Sequence, residues 1–393
     1  MNAYPYTFME NTQSNTNLVK KRIKWVDELK GAILVLICLG HLSGMVSSPP
    51  SLKYATEILS TVRVPTFFFL SGLLYSVKDS NYKAYLLRKT NSLLIPYLLL
   101  SLLFTMFDPY IYNPQYLIDY LHYPRFACLD WLGLESRCQT SLEFFVGDIC
   151  CTAIGISSRA TLPLWFVFVL YFVTIAYHWF FVRTKSQMAI TIIAVMCFGL
   201  SFLLCFWRIG NYMKVGPSLM AFFFYWFGTI FVHWLRRMKE IPLLFHIGLS
   251  IFLFCVFYYL APNIVKNVSF VNGVFPIKTP LTFLVCSFSG ILCFVLLFMR
   301  FSQLNLWGVN FLKGLLRNIA RNSLIILAMH YWALVFFHLF LSFYIPIAYQ
   351  MIAAIVFVVL VCMASIALFR TRLYMFIGGE RAKQSLRVCF SIS

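Results

Sequence analysis

Two ionisable residues stand in an apolar run where packing gives neither an evident benefit. The run is Trp25 to Met45, WVDELKGAILVLICLGHLSGM, entered through Asp27, Glu28 and Lys30 and left through His41. Lys30 and His41 are eleven positions apart. That is close to three whole helical turns, so on a helix the two side chains share a face. Along the axis they lie about 16 Å apart, roughly half the hydrocarbon core of a bilayer. In a spanning helix Lys30 then sits near one surface and His41 past the middle. The first is a fixed cation that can meet an anion; the second is a candidate base in the interior. Ionisable residues at such depths mark functional sites.

The elements that must carry these residues follow from composition. The chain has 393 residues, 61% hydrophobic and 11% charged, with 42 Phe, 22 Tyr and 9 Trp. A soluble domain carries about 25% charged residues. The aromatic content suits a lipid-facing surface with interfacial belts. The fold class is all-α, a polytopic integral membrane bundle of about ten transmembrane helices. Spans are expected at 26–46, 55–77, 92–108, 162–182, 188–207, 216–235, 243–261, 279–299, 320–341 and 346–369. The layout is an N-terminal tail 1–24, a membrane domain 25–369 with an external loop 108–161, and a basic C-terminal tail 370–393. Met1 to Lys24 has no apolar h-region, so the first span is expected to act as its own insertion signal.

The net charge of +19 points to topology, and no nucleic-acid partner is expected. Of the 32 Lys and Arg, most fall in alternate loops, from Lys20, Lys21, Arg22 and Lys24 through Arg236, Arg237 and Lys239 to the tail. The opposite loops hold few, among them Lys53, Lys214 and Lys266. The positive-inside rule puts both termini in the cytoplasm.

The second span, RVPTFFFLSGLLY, combines Arg63, Pro65 and Ser71-Gly72. Pro65 reads as a kink and Ser71-Gly72 as a notch for close helix approach. Arg63 is expected to face a polar cavity, an interface or a carboxylate. Arg88 and Lys89 precede the third span and either anchor to anionic headgroups or contact the phosphates of a cytoplasmic ligand. The loop 108–161 holds six of the 13 acidic residues, several tyrosines and four cysteines. Long loops of this kind serve as lids or binding loops. A disulfide among Cys128, Cys138, Cys150 and Cys151 suits an oxidising compartment. No cysteine–histidine ligand spacing appears, so no metal site is expected. Trp165 is expected at the outer interface. Late in the chain Arg321-Asn322-Ser323 opens a span with His330 two turns inside. The other histidines read as interfacial or packed.

The segments LKGAILVLICLGH, VPTFFFLSGLLY, LLIPY, LPLWFVFVLYF and RNSLIILAMH occur in this order. In order and spacing the chain resembles the acyltransferase 3 family, bacterial inner-membrane enzymes that O-acetylate surface glycans. The branch it most resembles is the fucose 4-O-acetylase-like one. The resemblance runs from Arg22 to Phe369. It implies that His41 is the essential histidine and Lys30 its basic partner. It also matches Ser71-Gly72, Trp165-Phe166, Asn322-Ser323 and His330 to family motifs. Two positions depart from the pattern. Arg63 stands where the family often has histidine, and Ser92 stands where a second basic residue would follow Lys89.

The activity implied is transfer of an acetyl group from acetyl-CoA to a hydroxyl of a surface polysaccharide or lipid-linked glycan, such as O-antigen or capsule. Acetyl-CoA is then a substrate, with no permanently bound cofactor. The partners are that donor, the glycan acceptor and the bilayer of the inner membrane. His41 is the candidate base. Lys30, oriented by Asp27 one turn earlier, pairs with anionic groups of the donor. A covalent acyl-histidine is the alternative route. Arg63, Ser71 and His330 are candidates for stabilising the oxyanion. A transporter or flippase of a lipid-linked sugar is the rival class.

Overall fold

The computed structural model describes residues 23–75, 81–111, 159–209, 212–239 and 241–377, with 149, 152, 153 and 155 between them. Residues 1–22 and 378–393, and nearly all of the loop 108–161 with its four cysteines, lie outside the described residues.

Twelve α-helices run through the described residues. They are α1 Lys24–Met45, α2 Pro50–Leu73, α3 Tyr82–Lys89, α4 Ile95–Ile111, α5 Trp165–Thr184 and α6 Gln187–Phe206. There follow α7 Val215–Lys239, α8 Leu243–Ile264, α9 Pro280–Phe301, α10 Trp307–Arg321, α11 Ser323–Phe336 and α12 Ile347–Thr371. Nine helical stretches among the described residues are long and apolar enough to cross a membrane. The protein is an all-helical polytopic bundle. The second expected span, α2, is long enough but not apolar enough, because it carries Lys53, Glu57 and Arg63 with several hydroxyl residues.

Helix α2 is the centre of the bundle, packed by α1, α7 and α9. Its run Pro65 to Leu70 is buried at every position. Consecutive residues on a helix point about 100° apart, so such a run needs neighbours all round. The Phe67-Phe68-Phe69 triplet meets aromatic residues of α5 and α7. Phe68 lies 4.7 Å from Phe166, and Phe69 lies 5.3 Å from Phe227. The notch expected at Ser71-Gly72 is a helix crossing. A β-carbon at Gly72 would overlap the Tyr225 carbonyl, and one at Gly228 the Phe69 carbonyl. α2 runs unbroken through Pro65, which cannot donate to the carbonyl of Thr61. That carbonyl accepts instead from Ser287 Oγ of α9 at 3.2 Å, so the backbone stays satisfied.

Three expectations change. Arg88 and Lys89 are not in a loop. They end α3, which continues through a π-helical turn, Thr90–Leu94, into α4. The wide turn comes just before Pro96, where a regular helix would clash. The basic stretch before span nine is also helical. It forms α10, an amphipathic helix packed on α1, with Trp307, Phe311 and Leu315 exposed and Leu316 buried. This is the pattern of a helix lying in a membrane interface. Trp165 is 7% exposed and packs inside the protein, so it does not face the bilayer.

Candidate active site

Helix α1 carries Lys30 and His41 toward opposite ends of the bundle. Each end has its own cavity, and α1 and α2 line both.

At the Lys30 end, a cavity of about 400 Å³ is lined by Lys30, Ser71, Arg88 and Lys89, with Tyr75, Tyr85, Tyr225, Leu170 and Thr174 among its walls. Four sequence candidates from α1, α2 and α3 thus meet at one place. The cations are held against aromatic faces: Arg88 Cζ is 5.1 Å and Lys89 Nζ 5.5 Å from the Tyr85 ring centroid, in cation–π range. The Tyr85 ring is itself buried and stacked on His178 at 3.8 Å. His178 also bonds Tyr75 Oη through Nδ1 at 2.8 Å. His178 is therefore a packed histidine that stiffens the cavity wall. Ser71 Oγ donates to Phe67 O at 2.8 Å. Ser92 is exposed, and the cavity's second basic group beside Lys89 comes from Arg88.

At the other end, His41 meets α11. Its ring centroid lies 5.4 Å from that of His330 and 5.0 Å from that of Tyr331, edge-on to the tyrosine. His330 is fully buried, and its Nδ1 bonds Ile326 O at 2.6 Å. A carbonyl only accepts, so Nδ1 carries the hydrogen and, in the neutral ring, Nε2 carries the lone pair. That Nε2 has no hydrogen-bond partner among the described residues. Buried polar atoms are normally paired, so this lone pair, on a ring 5.4 Å from that of His41, is left to accept from a donor.

Arg63 lies against the residue before His41. A β-carbon at Gly40 would overlap its guanidinium, and its Nη1 donates to Leu36 O at 3.0 Å. It faces a second, polar cavity of about 450 Å³, one of the three environments expected for it.

Asn322 and Ser323 do not join His41. They stand at the start of α11, eight and seven positions before His330. Asn322 is buried and donates to Asn318 O at 2.8 Å across the α10–α11 junction. Gly72 is spent on the α2–α7 crossing. Asp27 is in the first turn of α1.

Sequence reasoning passed over Tyr331, although it adjoins His330. It also passed over Glu28, which is 1% exposed with Arg317 Nε 3.8 Å from its carboxylate. Lys53 and Lys266, counted as topology charge, line the second cavity.

A family profile described as an acyltransferase domain, that of the acyltransferase 3 family, matches residues 23–369. No curated protein and no solved structure matches the chain.

Proposed function

Since the chain belongs to the acyltransferase 3 family, and so is a membrane acyltransferase, we propose that it moves an acetyl group from acetyl-CoA to a glycan hydroxyl. The observation that carries this reading is the separation of two chemistries along one helix. Lys30 shares a basic, aromatic-walled cavity with Arg88 and Lys89, while His41 shares a layer with His330 and Tyr331.

The phosphates of coenzyme A suit the first cavity, since guanidinium and ammonium donors make strong charge-assisted bonds to phosphate oxygens. Tyrosine faces suit the adenine ring. The charge pattern of the loops supports a cytoplasmic face for this end, the side on which acetyl-CoA is made. The pantetheine arm then carries the thioester toward His41. The acceptor hydroxyl approaches from the opposite end. His41 takes the hydroxyl proton as the oxygen attacks the thioester carbonyl. The C–O bond forms, the C–S bond breaks, and the coenzyme A thiolate leaves with the proton held on His41.

Two of the three oxyanion candidates have spent their donors. Ser71 donates to Phe67 O, and His330 Nδ1 to Ile326 O. On position alone we assign the role to the Tyr331 side chain, whose ring stands edge-on to His41 with centroids 5.0 Å apart. The lone-pair face of His330 Nε2 suits an acceptor hydroxyl or a water beside the base.

The test is the O-acetyl content of surface glycans, read by mass spectrometry in three strains: chain absent, chain restored, and chain restored as His41→Ala at equal expression. An acetyl increment found only with the intact chain supports both acetyl transfer to the glycan and the role of His41. Three matching profiles would sink the acetyl-glycan reading.

A further inference from the structure

The donor reading leaves the 450 Å³ cavity unused, and its chemistry differs from the first. Three cations line it, Lys53 and Arg63 of α2 and Lys266 of the turn Val265–Asn267 after α8, against one carboxylate, Glu57. Three positive groups less one negative leave a formal charge of +2. Among the described residues no ion pair closes on any of the four. A concave site with unbalanced charge concentrates counter-ions.

The guanidinium of Arg63 is the fixed point. Nη1 is tied to Leu36 O, and the group lies in the gap left by the missing β-carbon of Gly40. Its remaining N–H groups make no hydrogen bond to the protein among the described residues. A held guanidinium offers parallel N–H donors spaced for the two oxygens of a carboxylate or phosphate. Gly40 precedes His41 in the chain, so a group gripped there lies one residue along α1 from the proposed base.

We propose that this cavity binds an anionic group of the acceptor, a carboxylate or a phosphate, and thereby selects acidic acceptors for acylation at a neighbouring hydroxyl. The proposal rests on the acyl-transfer reading above. The anion has two sources: a uronic acid within the glycan, or the diphosphate that joins a glycan to a polyprenyl carrier.

The experiment uses the full-length chain in nanodiscs with radiolabelled acetyl-CoA and three probes. These are a neutral oligosaccharide, the same oligosaccharide with one uronic acid, and the neutral one on a polyprenyl diphosphate. For at least one charged probe, kcat/KM is expected to exceed that of the neutral probe by about tenfold or more. Arg63→Gln and Lys266→Gln should each shrink that ratio. Preference for the uronate identifies the sugar carboxylate, and preference confined to the lipid-linked probe identifies the carrier phosphates. Lys266 is exposed, so its variant keeps the fold and decides the matter if Arg63→Gln does not fold. Equal kcat/KM for all probes, or a ratio unchanged by both variants, overturns the proposal. If no probe is acylated, the acyl-transfer reading fails for these acceptors and the cavity is judged by binding alone. Methyl glucuronide and pyrophosphate are then titrated into the Arg88→Ala chain, whose other cavity is weakened, so that only the part of the binding that responds to Lys266→Gln is read. Binding weakened about tenfold on adding Lys266→Gln upholds the site. Absent binding, or binding indifferent to Lys266→Gln, overturns it.

Discussion

The two cavities at the ends of the α1–α2 pair are similar in size and both basic, yet they are built from different materials. The Lys30 cavity has walls of tyrosine, and its Arg88 and Lys89 are pinned against one buried ring. The Arg63 cavity has walls of glycine and hydroxyl residues, with Ser43 and Thr56 bonded to each other at 2.7 Å. Its Lys53 and Lys266 are exposed, and it keeps an acidic residue among its cations. The first suits one invariant ligand with phosphates and a flat ring. The second suits a hydrophilic ligand gripped by charge at one point. What they share is α1, with His41 beside the second cavity and its histidine and tyrosine neighbours supplied by α11.

Breaking the shared point should cost most. His41→Ala is expected to lower kcat by about 10²–10⁴ with either cavity intact, measured as acetyl transfer by membranes of matched protein content. Tyr331→Phe removes one hydroxyl and leaves the ring packing. Its expected loss is about 10² in kcat with little change in either KM, and an unchanged rate would return the oxyanion role to Arg63. Arg88→Ala should raise the KM for acetyl-CoA by about tenfold and leave the acceptor KM in place. A rise in acceptor KM of the same size would erase the distinction between the cavities.

The smallest effect concerns stability at the start of α7. Lys214, just ahead of the α7 span, is 3% exposed and donates to Val271 O at 2.6 Å. Burial holds its ammonium down from the usual 10.5 to about 8. The unfolded chain keeps that proton up to the higher value, so between about pH 8 and 10.5 it binds more protons than the folded chain. This group's contribution to stability therefore rises with pH through that window and is lost as pH falls toward its lower end. Melting curves from pH 7 to 10 should show that slope in the native chain and a flatter one in Lys214→Met.

Much of this was legible in the sequence, for physical reasons that can be named. Period and length on one helix placed Lys30 and His41 at different depths, because an α-helix converts sequence distance directly into axial distance. The close approach of α2 and α7 was legible as the small-residue notch Ser71-Gly72. His41 and His330 were each singled out by the cost of an ionisable group in an apolar run, but their contact is tertiary and no local pattern encodes it. Lys53 and Lys266 were read as markers of topology, since loop charge is counted by side and not by where helix ends converge. α10 was read as a loop because its basic residues, Lys313, Arg317 and Arg321, masked the apolar spacing that makes it amphipathic. Arg88 and Lys89 carried two readings, lipid anchor or phosphate contact. The continuous helix through the π turn favours the second by bringing both to the Lys30 cavity.

The most direct test is a crossed pair of Michaelis constants. Lys30→Ala and Lys266→Gln would be assayed side by side in nanodiscs, each against varied acetyl-CoA and against a varied acidic oligosaccharide acceptor. The account expects the constants to cross. Lys30→Ala raises the KM for acetyl-CoA alone by about tenfold, and Lys266→Gln raises that of the acceptor alone by a smaller factor. Both variants raising the same constant, or each raising both, would contradict the claim that one helix serves two ligands at opposite ends.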